Sequence, residues 1–263
     1  MALLMSFGTY ISFLLLAVIQ GLTEWLPISS SGILVVLEDL INLKNKNLNL
    51  LFNISVHTGS LLAVIIYFKK EIFNLIGNNK LLQNIFIATI PVVILGFIVK
   101  IFNFNIFLQD AKIVGISTIA FSILLYLADK TKVSQKFENS ISNKNSFIIG
   151  LCQAIAIIPG TSRSGITITA ARYLGFSRLD SAKFSFLISI PTLLAATVLG
   201  ASDAAFNFDN DVILILVIGL VFSFIASISC IKLFLKFVEN NSLTIFVIIR
   251  IVLGLCLLVY LAN

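Results

Sequence analysis

Charge is the scarcest property of this chain. Only 11% of its 263 residues are charged, against 59% hydrophobic, and mean hydropathy is +1.07. Soluble globular domains carry about 25% charged residues. A water-soluble enzyme or binding module is therefore excluded, and a polytopic membrane protein is implied. The net charge of +6 then needs no nucleic acid as partner, because loop lysines at a membrane surface account for it. Cysteine is nearly absent as well. Cys152, Cys230 and Cys256 lie in apolar runs without paired or metal-like spacing, which argues against a disulfide framework and reads them as small core residues. The one histidine, His57, taken alone is a packed or loop-end side chain rather than a ligand. No basic residues precede the N-terminal apolar run, and Gln20 and Glu24 stand where a cleavage site would be sought. No removable signal peptide is expected.

Proline is also rare, with four residues in all, yet two of them sit in polar clusters set within apolar surroundings. The first cluster runs from Gln20 through Gly21, Thr23, Glu24, Trp25 and Pro27 to Ser29, Ser30, Ser31 and Gly32. The second runs from Gln153 through Pro159, Gly160, Thr161, Ser162, Arg163 and Ser164 to Gly165. Both read Gln, apolar stretch, Pro, hydroxyl cluster, Gly. Polar segments at membrane depth are costly and mark substrate or ion sites. Broken backbone survives there only where protein or a water-filled cavity surrounds it. Two breaks at corresponding places of two halves point to a site at the interface of an internal repeat.

A bilayer-spanning helix needs about 20 mostly apolar residues. Six segments qualify, roughly 50–68, 84–102, 112–128, 183–203, 212–235 and 243–261. Segments 7–41 and 147–176 are interrupted by the polar clusters, and neither of their arms is comfortably long enough to span. Both are read as re-entrant helical hairpins. The resulting fold class is an all-α polytopic membrane protein with an inverted-topology repeat, about six transmembrane helices and two re-entrant hairpins. It forms a single membrane domain, 1–263: repeat one at 1–128, a linker at 129–146 and repeat two at 147–263. Most lysines, including Lys69, Lys130, Lys132, Lys144, Lys232 and Lys236, fall on one side of this arrangement. Asp203, Asp209 and Asp211 fall on the other, with few lysines. The lysine-rich side is expected to be cytoplasmic, which puts both termini outside.

The two clusters carry phosphate chemistry. If helical, Gln20 and Glu24 share a face at their four-residue spacing. Their oxygens suit a hard divalent cation such as Mg²⁺ or Ca²⁺; Glu24 also suits a general base. Ser29, Ser30 and Ser31 offer hydroxyls for nucleophilic attack if a base is in reach. Arg163 is a permanent cation with a planar donor fork that matches a phosphate. Gly160 and Gly165 let backbone approach a ligand closely, Ser162 and Ser164 add donors, and a helix start after such a loop cradles an anion. An isolated membrane Gln or Ser more often makes an interhelical hydrogen bond, and a buried Glu24–Arg163 pair has a purely structural reading. The joint occurrence of acid, hydroxyls, arginine and glycines at repeat-related breaks favours a site.

These stretches resemble the undecaprenyl-diphosphate phosphatase family, the BacA-type bacitracin-resistance proteins. Similarity extends to Gly59-Ser60-Leu61-Leu62-Ala63-Val64 and to Phe184-Ser185-Phe186-Leu187-Ile188-Ser189-Ile190-Pro191. The resemblance implies inverted repeats with re-entrant helices in the bacterial inner membrane. It implies hydrolysis of the terminal phosphate of undecaprenyl diphosphate at the outer face, recycling the carrier lipid for cell-wall synthesis. The polyprenyl diphosphate and membrane lipids are the partners it implies, with a homodimer as a further expectation. A divalent cation falls on Gln20 and Glu24, the attacking serine on Ser30, and the essential arginine on Arg163. Ser29, Ser31, Gly160, Thr161, Ser162, Ser164 and Gly165 become substrate-binding candidates. One departure stands out: the family's first motif typically ends Ser-Gly-His, and Ile33 occupies the histidine position here. An apolar side chain neither shuttles protons nor binds metal. His57 is the substitute if its helix end faces the site. A lipid-phosphate transporter or flippase, or a weakened paralogue, are the alternatives.

Overall fold

A computed structural model describes residues 7–29, 46–75, 79–102, 111–135, 141–204 and 209–260. The described residues form ten helices and no strand. They are α1 Phe7–Thr23, α2 Lys46–Tyr67, α3 Lys69–Leu75, α4 Asn79–Ile101, α5 Ala111–Asp129, α6 Asn143–Ile155, α7 Arg163–Tyr173, α8 Arg178–Ala201, α9 Asn210–Asn240 and α10 Thr244–Tyr260. Five of these, α2, α4, α5, α8 and α9, are long and apolar enough to cross a membrane. The sixth expected span, α10, has 17 residues in its described part. At 1.5 Å per residue, α6 with 13 residues and α7 with 11 reach only about 20 and 17 Å. Each is too short for a core of about 30 Å, as a re-entrant hairpin requires. The return arm of the first hairpin, 30–41, lies outside the described residues, with Ser30, Ser31 and Ile33. The expected linker 129–146 is described at 129–135 and 141–146. Asp129 closes α5, and Asn143 to Ser146 form the first turn of α6, capped where the Ser142 hydroxyl accepts from Asn145 N–H at 3.1 Å.

The main helix pairings correspond under exchange of the halves. α1 packs on α9 as α6 packs on α4; α2 packs on α9 as α8 packs on α4; and α2 with α8, and α5 with α10, pair with their own counterparts. Small residues permit the close contacts. A Cβ on Gly21 would lie 2.6 Å from the Ser223 carbonyl on α9, and one on Gly150 would lie 2.6 Å from the Ala88 carbonyl on α4. With no hydrophobic driving force between helices in lipid, such close approach and interhelical hydrogen bonds supply the association. Ser60 and Ser227 meet at 2.9 Å, and Ser227 donates to the Gly21 carbonyl at 3.0 Å.

An aromatic chain ties the polar centre to the helices around it. Trp25 meets Phe186 edge-on at 5.0 Å, Phe186 contacts Phe68 and Phe234, and Phe234 contacts Phe246. Large apolar side chains such as Phe86, Phe97, Val198, Leu233 and Ile248 point outward, a surface that suits acyl chains rather than water.

The two ends of the bundle are distinct. At one, Asp129 accepts two bonds from Arg178 (2.6 and 3.1 Å) and one from Leu243 N–H (3.0 Å), while Arg172 donates to the carbonyls of Phe176, Asp129 and Thr131. That hub joins the end of α5, the α7–α8 junction and the α9–α10 turn. At the other end Lys100 pairs with Asp203 at 3.0 Å, and the Tyr10 hydroxyl donates to Asp211 at 2.9 Å.

Candidate active site

The two broken segments meet. Arg163, the first residue of α7, donates from Nη2 to Glu24 Oε1 at 2.6 Å, an ion pair whose side chains are 13% and 9% exposed. The Arg163 guanidinium also lies 5.8 Å from the Trp25 ring, and its Nη1 is buried without a partner among the described residues. Glu24 continues α1: its N–H donates to the Gln20 carbonyl at 3.0 Å. The four-residue spacing therefore does place both side chains on one face, and Gln20 Nε2 donates to Glu24 Oε2 at 2.8 Å.

The second break is held open by its own backbone. Gly160 (φ 88°) and Ser162 (φ 64°) both lie in the left-handed region, the latter being strained for a residue with a side chain. The Ser162 hydroxyl caps α7 by accepting from Gly165 N–H at 3.2 Å. Ser164 donates to the Leu26 carbonyl of the first break at 2.8 Å. Because α7 begins at the cavity wall, its positive dipole end favours an anion there.

These residues line a cavity of about 410 Å³ with Glu24, Ser29, His57, Gly160, Ser162, Arg163 and Ser164 on its polar side and Val92, Ile157, Leu193 and Ala196 on its apolar side. A narrower, mostly apolar groove of about 160 Å³ between α2 and α8 shares His57 and Ala196 with it and reaches Leu50 and Gly200, toward the Lys100–Asp203 end. Gln20 stands behind Glu24 rather than on the cavity wall. Thr161 is fully buried, and Gly165 packs under Arg250, so both support the loop. Gln153 donates to the Ala88 carbonyl at 3.2 Å. It thus joins helices, unlike its counterpart Gln20. Ser30 and Ser31 fall outside the described residues.

Two further groups belong to the site, His57, expected there only if its helix end faces it, and Arg250. His57 lies in the site: Nδ1 bonds the Asn53 carbonyl at 2.7 Å, and Nε2 is 3.8 Å from Glu24 Oε2 and 3.4 Å from Gln20 Nε2. Arg250 was not anticipated. It is fully buried and donates to the carbonyls of Pro27 (3.3 Å), Gly160 (3.2 Å), Thr161 (2.9 Å) and Thr118 (3.4 Å), clamping both breaks to α5. The signal was present, since Arg250 is the only charge between Leu243 and Leu261, and an intramembrane charge is a functional hypothesis by default.

The family model for "Bacitracin resistance protein BacA" matches residues 13–256. The chain belongs to the BacA family. Among its relatives, an undecaprenyl-diphosphatase of Pelagibacter ubique is 39% identical over 259 residues, covering 98% of this chain and all of that protein. An undecaprenyl-diphosphatase of Aliivibrio salmonicida is 40% identical, covering 97% and 99%. In this BacA-family chain the two motifs that carry the resemblance are the two segments that close on each other through Glu24 and Arg163.

Proposed function

We propose that the protein hydrolyses undecaprenyl diphosphate to undecaprenyl phosphate and inorganic phosphate, and so recycles the carrier lipid and confers bacitracin resistance. The observation that carries this is the union of Arg163, the α7 N-terminus and Glu24 in one cavity that continues into an apolar groove. A diphosphate headgroup fits the polar part, and the first isoprenoid units fit the groove. The names of the two relatives support the same chemistry.

Positioning and electrostatics dominate phosphoryl transfer. Arg163, on the cavity wall, clamps oxygens of the terminal phosphate. The α7 N-terminus adds its dipole. A water attacks the terminal phosphorus, or Ser30 attacks and a water then cleaves the resulting phosphoserine. Glu24 takes the proton of the nucleophile, the bond to the bridging oxygen breaks, and the lipid leaves as its monophosphate, with inorganic phosphate as the second product. Gln20 and Glu24 would hold a divalent cation: Gln20 Oε1 is buried without a partner among the described residues, and a half-turn of the amide, whose Nε2 now donates to Glu24 Oε2, brings that oxygen to the carboxylate. Two oxygen ligands point to Mg²⁺ or Ca²⁺, and such a cation neutralises the diphosphate charge when bound. The proposal includes a single membrane domain in the inner membrane, with the Lys100–Asp203 end and both termini outside and the site opening outward. A homodimer is part of it too.

The correspondence of helix pairings between the halves is shared with transporters, so lipid movement is the competing reading. Purified protein assayed for phosphate release from undecaprenyl diphosphate separates the two. Release that depends on Arg163 supports the phosphatase. No release, with or without divalent cations, alongside lipid movement in vesicles rejects it.

A further inference from the structure

We propose that His57 is a third protein ligand of the divalent cation, and that it turns the site from one for Mg²⁺ or Ca²⁺ into one for a first-row transition ion such as Mn²⁺ or Zn²⁺. This rests on the reading that Gln20 and Glu24 hold a cation.

The tautomer of His57 is set by its own helix. Only an N–H bonds a carbonyl, so the 2.7 Å contact from Nδ1 to the Asn53 carbonyl places the proton on Nδ1. Nε2 keeps its lone pair and turns it toward Glu24 and Gln20. A ring nitrogen oriented by a carbonyl behind it is how ligating histidines are normally held.

The three groups lie close enough to share one cation. The separations are 2.8 Å between the Gln20 amide and Glu24 Oε2, 3.4 Å between that amide and His57 Nε2, and 3.8 Å between His57 Nε2 and Glu24 Oε2. A point ~2.0 Å from all three corners lies in their plane, a distance that suits Zn²⁺ and Mg²⁺ and is shorter than the ~2.3–2.6 Å of Ca²⁺. The imidazole nitrogen is what sets the site apart from one for Mg²⁺. A half-turn of the Gln20 amide brings its oxygen to that corner. Gln20 is 2% exposed, and Oε1 has no competing partner among the described residues. The amide N–H meanwhile points at two acceptors at once, the positive charge that a cation there would supply more fully.

The remaining geometry is compatible. Arg163 holds Glu24 Oε1, leaving Oε2 for the cation, so guanidinium and cation share one carboxylate from two sides and both address the cavity. Imidazole suits Zn²⁺ and the other later first-row ions, whereas carboxylate and carbonyl oxygens suit Mg²⁺, Ca²⁺ and Mn²⁺. One nitrogen and two oxygens therefore favour a borderline ion. His57 is the one imidazole of this chain, whose first motif carries Ile33 in place of histidine.

The test is Mn²⁺ binding to purified, detergent-solubilised protein, followed by the EPR signal of free Mn²⁺. Pulsed EPR on the bound ion is the second readout. The wild type is expected to bind one tight Mn²⁺ that Glu24→Gln abolishes, to show nitrogen modulation from a coordinated imidazole, and to prefer Mn²⁺ over Mg²⁺ in competition. His57→Gln is expected to lose the modulation and about tenfold or more in Mn²⁺ affinity, with little change for Mg²⁺. Absence of nitrogen coupling in the wild type, a measurement that needs no variant, overturns the proposal. So does a His57→Gln protein with unchanged Mn²⁺ affinity; both results leave the Gln20–Glu24 cation reading standing. Mn²⁺ binding that Glu24→Gln does not alter, or no binding with full turnover in EDTA, overturns the cation reading itself and this proposal with it.

Discussion

Replacing Arg250 by methionine is expected to destabilise the protein heavily. Arg250 is fully buried, and its fork supplies the bonds that the carbonyls of Pro27 and Thr161 receive from the described residues. Gly160 keeps a second donor, the Thr118 hydroxyl at 3.2 Å. Arg250→Met therefore leaves two buried acceptors without those partners, at about 1–3 kcal/mol each, or ~2–6 kcal/mol in all. That is a large share of a typical stability of about 5–15 kcal/mol. Arg250→Lys keeps the charge but not the fork, so it should fall between the two. Trp25 is the only tryptophan and sits two residues before Pro27, in contact with Phe186. Thermal and denaturant unfolding in detergent can thus be followed by a fluorophore inside the first break. A midpoint for Arg250→Met within experimental error of the wild type would refute the argument that this side chain fastens the two breaks together.

Ser30→Ala decides the route of attack by phosphate-release kinetics: near-normal turnover rules out serine attack, while deep loss favours it. Gly160→Ala forces a side chain onto φ 88° and puts its Cβ 2.2 Å from Ser117 Oγ and 2.4 Å from the Val114 carbonyl. A stability loss of about 1–3 kcal/mol by the same Trp25 assay is expected, with lower activity. In a background lacking Cys152, Cys230 and Cys256, a cysteine at Lys132 should escape an impermeant thiol reagent in intact cells. One at Ala204 should react with it, and the opposite result reverses the orientation.

The long spans and the breaks were legible because each has a local cause. Apolar runs of spanning length mark α2, α4, α5, α8 and α9, and Pro joined to Gly or clustered serines stops a helix, whereas the lone Pro91 and Pro191 lie inside α4 and α8. Boundaries were less legible. α9 runs to Asn240, five residues past the expected 235, because Lys232 and Lys236 end the apolar run without breaking a helix. The approach of Glu24 to Arg163 followed from repeat symmetry and the cost of exposing either group to lipid. His57 and Arg250 were different. Whether a side chain 33 residues from Glu24 faces it depends on the rotation of α2 about its axis, which no local pattern of residues sets. Arg250 acts on backbone carbonyls, and a carbonyl without a helical partner leaves no trace in side-chain identity.

The central claim is that the two breaks form one diphosphate site through Glu24 and Arg163, and a double-mutant cycle on kcat/KM for phosphate release tests it most directly. Glu24→Gln removes the charge of one partner and Arg163→Lys keeps the charge but loses the fork, so each should lower kcat/KM heavily. Residues acting as a unit are non-additive, so the double variant should be little worse than the weaker single one. Full activity in both single variants, or losses that simply add in the double variant, would contradict a shared site.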